Sequence, residues 1–163
     1  MRGYARRLTA TTTKLGGISV TNEQYMRVAL AEARSAAGFG EVPVGAVIIK
    51  DGIVIASAHN MMSAMCDPTA HAEIIAIKKA CDRVGDIRLC DCVMFVTAEP
   101  CTMCIGAILN ARIKSVYFGV FEPETGGVDS FMSSKNHAKI DFFSDILSDE
   151  CQTVMKKFFK LKR

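Results

Sequence analysis

From Thr21 onward the apolar positions change rhythm in a readable order. Met26, Ala29, Leu30, Ala33 and Ala37 recur at helical spacing and stop near Gly38 and Gly40, which predicts a helix. Thr21, with Gln24 three residues on, has the form of a capping box for its start. Ala46-Val47-Ile48-Ile49 and Ile53-Val54-Ile55-Ala56 flank Asp51-Gly52, the signature of a tight β-hairpin. A polar loop leads into a second helix from about His71 to Val84, with Ile74, Ile75, Ile77, Cys81 and Val84 as its apolar stripe. Val93-Met94-Phe95-Val96 reads as a buried strand, Pro100 opens a helix running to about Asn110, and Ser115-Val116-Tyr117-Phe118 is the next strand. A loop rich in Gly, Pro, Asp and Ser separates it from a last helix at about Ser148 to Leu161.

Two strands that each follow a helix imply right-handed crossovers in one sheet flanked by helices, an α/β fold. The 163 residues favour one domain with a real core. Residues 1–20 lack periodicity and contain a Thr run ending in Gly16-Gly17. They read as a flexible N-terminal extension ahead of a domain spanning 21–163. Rich in Arg and Thr and free of acids, the extension also loosely fits an organellar transit peptide, though a disordered start is the simpler account. No run approaches the roughly 18 apolar residues of a membrane span, and no secretory h-region opens the chain. Seven cysteines cannot all pair within one chain; without an export signal they read as reduced thiols or metal ligands in a cytoplasmic protein.

Net charge is +3, but its distribution matters more. Arg2, Arg6, Arg7 and Lys14 stand at one end, and Lys156, Lys157, Lys160, Lys162 and Arg163 at the other, with no acid among either set of neighbours. Residues 15–151 in between are acidic, at −6. Basic ends on an acidic body suit a polyanionic partner, and also suit two solvated tails.

Two clusters carry chemistry. Ala70-His71-Ala72-Glu73 and Glu99-Pro100-Cys101-Thr102-Met103-Cys104 each sit where a helix begins. Cys101 and Cys104 are three apart, so one helical turn puts both sulfurs on one side, where the helix dipole favours thiolates. His71, opening the neighbouring helix, can reach the same point. Three ligands, His71, Cys101 and Cys104, leave the fourth position of a tetrahedral zinc open for water, the mark of a catalytic rather than structural site. Glu73, two residues past His71, projects beside the metal-bound water and can move its protons. His-x-Glu with Pro-Cys-x-x-Cys is a known zinc-deaminase signature. A redox Cys-x-x-Cys, or a structural site of Cys90, Cys92, Cys101 and Cys104, are the rival readings. The structural site leaves His71 unexplained and uses Cys92, which strand alternation turns into the packing. Cys66, Cys81, Cys90 and Cys151 read as buried small residues, and His59 and His137 as non-ligands.

Glu41-Val42-Pro43-Val44-Gly45-Ala46, Asp67-Pro68-Thr69-Ala70-His71-Ala72-Glu73 and Glu99-Pro100-Cys101-Thr102-Met103-Cys104-Ile105-Gly106-Ala107 closely resemble bacterial tRNA-specific adenosine deaminases, from about Thr21 to the C-terminus. The resemblance implies a cytidine-deaminase-like three-layer α/β/α sandwich with a central mixed sheet. It implies a homodimer with one zinc per chain, and hydrolysis of a cyclic amidine C–N bond. Adenosine becomes inosine at the wobble position of a tRNA anticodon, by a zinc-bound hydroxide with Glu73 as proton shuttle. It also implies that Asn60 contacts the flipped purine, that Asn136 and His137 belong to the substrate-binding stretch, and that Lys156, Lys157, Phe158, Phe159 and Lys160 lie against the anticodon stem-loop. The chain departs from the family at Glu122-Pro123-Glu124-Thr125, where Asp-x-Lys is common. A free-base deaminase acting on guanine, and a non-catalytic RNA-binding subunit, are the alternatives. The basic C-terminal helix argues against the first and the intact Glu73 against the second.

Overall fold

The computed structural model describes residues 6–7, 12–15, 18–134 and 140–162. In chain order the elements are β1 (Arg6–Arg7), β2 (Thr12–Leu15), β3 (Ile18–Thr21), α1 (Asn22–Gly38), β4 (Gly45–Lys50), β5 (Ile53–His59) and α2 (Met62–Met65). They continue with α3 (Ala72–Val84), β6 (Cys92–Ala98), α4 (Thr102–Asn110), β7 (Ser115–Val120), α5 (Val128–Met132), β8 (Asp141–Ser144) and α6 (Ser148–Leu161).

The main sheet has the order β1-β8-β7-β6-β4-β5, and β2 and β3 form a separate antiparallel pair. The predicted hairpin is β4–β5: Asp51 and Gly52 both take positive φ, 51° and 76°, as a two-residue hairpin turn demands. β4 also pairs antiparallel with β6, whereas β6–β7 and β7–β8 are parallel, so the sheet is mixed. β5 through β8 therefore point the same way and end together.

Both faces of the sheet are covered, which is why its strands read as unbroken apolar runs. On one face Val47, Ile49 and Phe95 pack against Tyr25, Met26, Ala29 and Leu30 of α1 and Cys151 of α6. On the other, Ala46, Ile48, Met94, Val96, Val116 and Phe118 meet α3 and α4. The result is the expected three-layer α/β/α sandwich. α1 starts on the expected box: the Thr21 side chain accepts from the Gln24 N–H at 3.3 Å, and the Gln24 side chain accepts from the Thr21 N–H at 2.7 Å. Gly45 opens β4 where α1 passes so close that a Cβ would overlap the Ala29 carbonyl oxygen.

Four expectations change. The buried stripe of α3 is Ala72, Ala76 and Ala80, with Glu73, while Ile75, Ile77, Cys81 and Val84 pack at its flanks. A helix lying close on a sheet needs small residues along its contact line, and the large ones fill the margins. In α1, Ala36 rather than Ala37 completes the buried row. The stretch read as one loop after β7 contains α5 and β8. Cys151 is buried as expected, but Cys81 and Cys90 are half-buried and Cys66 is exposed, with φ 50°.

Candidate active site

The parallel strands end beside the N-termini of α3 and α4, the usual place for a ligand in an open α/β sheet. His71 is the N-cap residue of α3 and Cys101 that of α4, both with extended backbone and neither using its side chain to cap. Each side chain is thus free to face the gap between the two helices. Cys104, one turn into α4, is buried and joins them. His71 Nδ1 lies 3.7 Å from Cys101 Sγ and 3.5 Å from Cys104 Sγ, and the three donor atoms all lie within 4.8 Å of one another. Bonds of roughly 2.3 Å to sulfur and 2.0–2.1 Å to nitrogen at tetrahedral angles would set S and N about 3.6 Å apart. The donor set therefore fits a single four-coordinate metal ion. Among the described residues no other group of His, Cys, Asp and Glu converges in this way.

Electrostatics agree. Without an ion, hydrogen bonding from Cys104 and then from His71 pulls the Cys101 thiol down to about 4, a thiolate at neutral pH. The same bond with Cys101, together with burial, pushes Cys104 up. His71 is raised, first by its bond to Cys101.

A cavity of about 290 Å³ opens beside this cluster. Its wall carries His71, Cys101 and Glu73, with Val42, Val44 and Asn60 on one side, Glu122, Glu124 and Thr125 on another, and Met155 and Phe159 closing from α6. Glu73 is 3% exposed, and burial raises its carboxyl above the usual range. A carboxyl raised in this way holds a proton more readily than a solvated one, which suits it to carry protons between water and a ligand.

Asn60 directly follows β5, is 5% exposed, and lines the cavity. Phe159 is half exposed at the cavity mouth, but Phe158 is only 7% exposed, with the Lys162 ammonium 4.8 Å above its ring. That leaves Phe159 as the aromatic face on offer to a ligand. Lys156, Lys157 and Lys160 stand on the exposed side of α6. Asn136 and His137 lie outside the described residues. His59 points elsewhere, bonding Glu32 Oε2 at 2.8 Å.

Two carboxylates without an assigned role brace the cavity, Glu99 from its wall and Glu41 through its bond to Asn60. Glu99 accepts from the backbone N–H of Glu122 at 3.1 Å and of Val128 at 3.0 Å, pinning the loop after β7. Glu41, 3% exposed, accepts from the Asn60 amide at 3.2 Å and from the Ala64 N–H at 2.8 Å. Nothing local in the sequence marks either bond, since each backbone partner lies 23 or more residues away.

Residues 20–163 match the MafB19-like deaminase family. A tRNA-specific adenosine deaminase of Agrobacterium fabrum (strain C58) is 43% identical over 143 residues, covering 85% of this chain and 94% of that one. The chain belongs to the tRNA-specific adenosine deaminase family. A solved structure from a study of A-to-I editing by tRNA:A34 deaminases superposes with a TM-score of 0.77 at 42% identity, over 80% of this chain and 97% of its own. A guanine deaminase from Bacillus subtilis has the same fold at a TM-score of 0.61 and 38% identity, over 76% of this chain and 85% of its own.

Proposed function

We propose that this chain deaminates adenosine to inosine at the wobble position of a tRNA anticodon, with zinc held by His71, Cys101 and Cys104. The observation that carries the reading is the buried Glu73 carboxyl facing a purine-sized cavity beside three metal donors at ligand spacing. Two sulfurs and one nitrogen suit zinc better than a hard cation, which prefers oxygen. When bound, the ion supplies Lewis-acid activation of water near neutral pH.

The rest falls to the chain. Glu73 takes a proton from the water that attacks C6 and passes it to ring N1. As the C6–N bond breaks, the same carboxylate takes the remaining proton from the new C6 hydroxyl, leaving the carbonyl, and delivers it to the departing amine, so that ammonia leaves. Adenine plus water thus becomes hypoxanthine plus ammonia, with Glu73 restored. The base must leave its loop to reach the cavity, at a cost of a few kcal/mol. Met155 and Phe159 at the mouth and the lysines of α6 supply apolar and phosphate contacts that offset it. Membership of this family suits a protein of the cytoplasm acting as a homodimer on the anticodon stem-loop.

The deciding experiment incubates the purified protein with total tRNA, free guanine and free cytidine and scores each for deamination. Inosine in tRNA is expected. Turnover of guanine alone would transfer the reading to the free-base deaminases.

A further inference from the structure

We infer that Glu41 is a positioning residue that fixes which end of the Asn60 amide faces the substrate. The inference rests on the proposed deaminase reading of this cavity. It starts from an asymmetry between the two side chains. An ionised carboxylate only accepts hydrogen bonds, whereas a carboxamide has a donating and an accepting end. Glu41 uses one oxygen on the Ala64 N–H and the other on Asn60. Asn60 must therefore turn its NH₂ toward Glu41, and its Oδ1 faces away, into the cavity. The Asn60 backbone is held as well, its N–H donating to the Val44 carbonyl at 3.0 Å. Among the described residues nothing donates to Oδ1.

The cavity is thus presented with a hydrogen-bond acceptor, oriented before any ligand arrives. It selects an N–H or O–H donor on the substrate. Glu41 and Asn60 are both at least nine-tenths buried, so a flipped amide would set its oxygen against the Glu41 carboxylate, acceptor against acceptor, without water to repair it. Rejection by a buried polar group left unpaired is the strongest form of discrimination a small site has. Glu41 also ties α2 to the strand ends through Ala64, which couples the amide to the loop that precedes His71.

Exchanging the two functional groups tests this. Glu41→Gln is isosteric and can keep the bond to Ala64 through its oxygen, but its NH₂ then faces Asn60 and turns that amide over. KM should rise roughly ten- to a hundredfold, with kcat changed less and with metal content and thermal midpoint close to the parent. Asn60→Asp alone sets two carboxylates against each other and should also fail. The double variant Glu41→Gln/Asn60→Asp restores a donor facing an acceptor and again turns an oxygen into the cavity; its kcat/KM should exceed that of either single variant at least tenfold. Wild-type kinetics in Glu41→Gln, or a double variant no better than its parents, would overturn the inference. Should Glu41→Gln not fold, the double variant must still fold and turn over, and an inactive double variant is equally decisive against it. The wild-type protein is assayed alongside on tRNA and free guanine. If it acts on guanine, the tRNA reading falls while the exchange is scored on guanine.

Discussion

In the proposed reaction the three donor residues hold the metal and Glu73 moves the protons. Cys101→Ala leaves two side chains where three converge within 4.8 Å, so metal content should fall to a small fraction of one per chain by elemental analysis. Glu73→Gln keeps size and fold, and should retain metal while losing roughly 10²–10⁴-fold in turnover. Because burial raises the Glu73 carboxyl, removing its charge should not lower the melting temperature, which separates a lost proton carrier from a damaged site. Glu122 offers a pH test of a different kind. Its carboxyl is raised by burial, then by Glu99 and Glu124. A carboxyl raised on folding supports the fold below its unfolded value, near 4.3, and that support is lost as pH rises through the folded value. Glu122→Gln should therefore gain melting temperature over the wild type as pH is raised from 4 to 7. An unchanged difference across that range would show that the carboxyl is solvated in solution. At this scale the sequence picked out His71, Glu73, Cys101 and Cys104 from residue type and spacing, and the structure gathers them beside one cavity. The sequence did not disclose Glu41 or Glu99. Each acts by accepting backbone N–H groups from segments 23 or more residues away, and nothing local marks such a bond.

At the scale of elements, the long periodic segments and the hairpin were legible because a single local rule governs each. α6 was placed from Ser148 to Leu161 and is found there, and the Thr21–Gln24 box has both its bonds. Thr21→Ala should cost about 1 kcal/mol, visible in chemical denaturation. The failures have a common cause. β8 has four residues and α5 five, too few for a period to show. The α3 stripe was assigned to its isoleucines because they are the more apolar residues, yet the alanines make the close approach. Gly45 shows the same principle where α1 crosses β4. The space a side chain would fill there is occupied by the helix, and Gly45→Ala should destabilise by roughly 1–3 kcal/mol through overpacking. The measurement is a thermal midpoint with activity per folded molecule unchanged, since α1 lies on the face of the sheet remote from α3 and α4. The exposed edge of β5 is blunted by α3, whose Lys79 and Arg83 donate to the carbonyls of Ser57 and Ile55 at 2.9 and 3.3 Å. Cationic side chains on an edge carbonyl oppose pairing with a second chain there.

For the whole molecule, the question is how an acidic body binds an acidic polymer. Residues 15–151 carry −6, and Glu122 and Glu124 sit at the rim of the cavity itself. The compensating charge stands on α6, which reaches the same cavity through Met155 and Phe159. On the proposed function, this one helix offers an apolar lip to the base and exposed lysines to the phosphates on either side of it. The four lysines of its last turns are not equivalent. Lys162 donates to the Gly40 carbonyl at 2.9 Å and lies over Phe158, so it anchors the end of α6 to the loop after α1. Lys156 is held by Gln152 at 2.7 Å within the helix and remains exposed, as do Lys157 and Lys160. Replacing Lys156, Lys157 and Lys160 with Gln should weaken tRNA binding and reduce its dependence on salt, with metal content and melting temperature unaltered. Every single-strand phosphate that a lysine no longer neutralises should take about 0.7 off the slope of log K against log salt, so a drop of roughly 0.7–2 is expected. Lys162→Gln should behave differently, lowering the melting temperature while barely changing that slope. An unaltered slope in the triple variant would place the phosphates elsewhere on the protein. A full effect from Lys162→Gln alone would mean that its ammonium leaves Gly40 when RNA arrives.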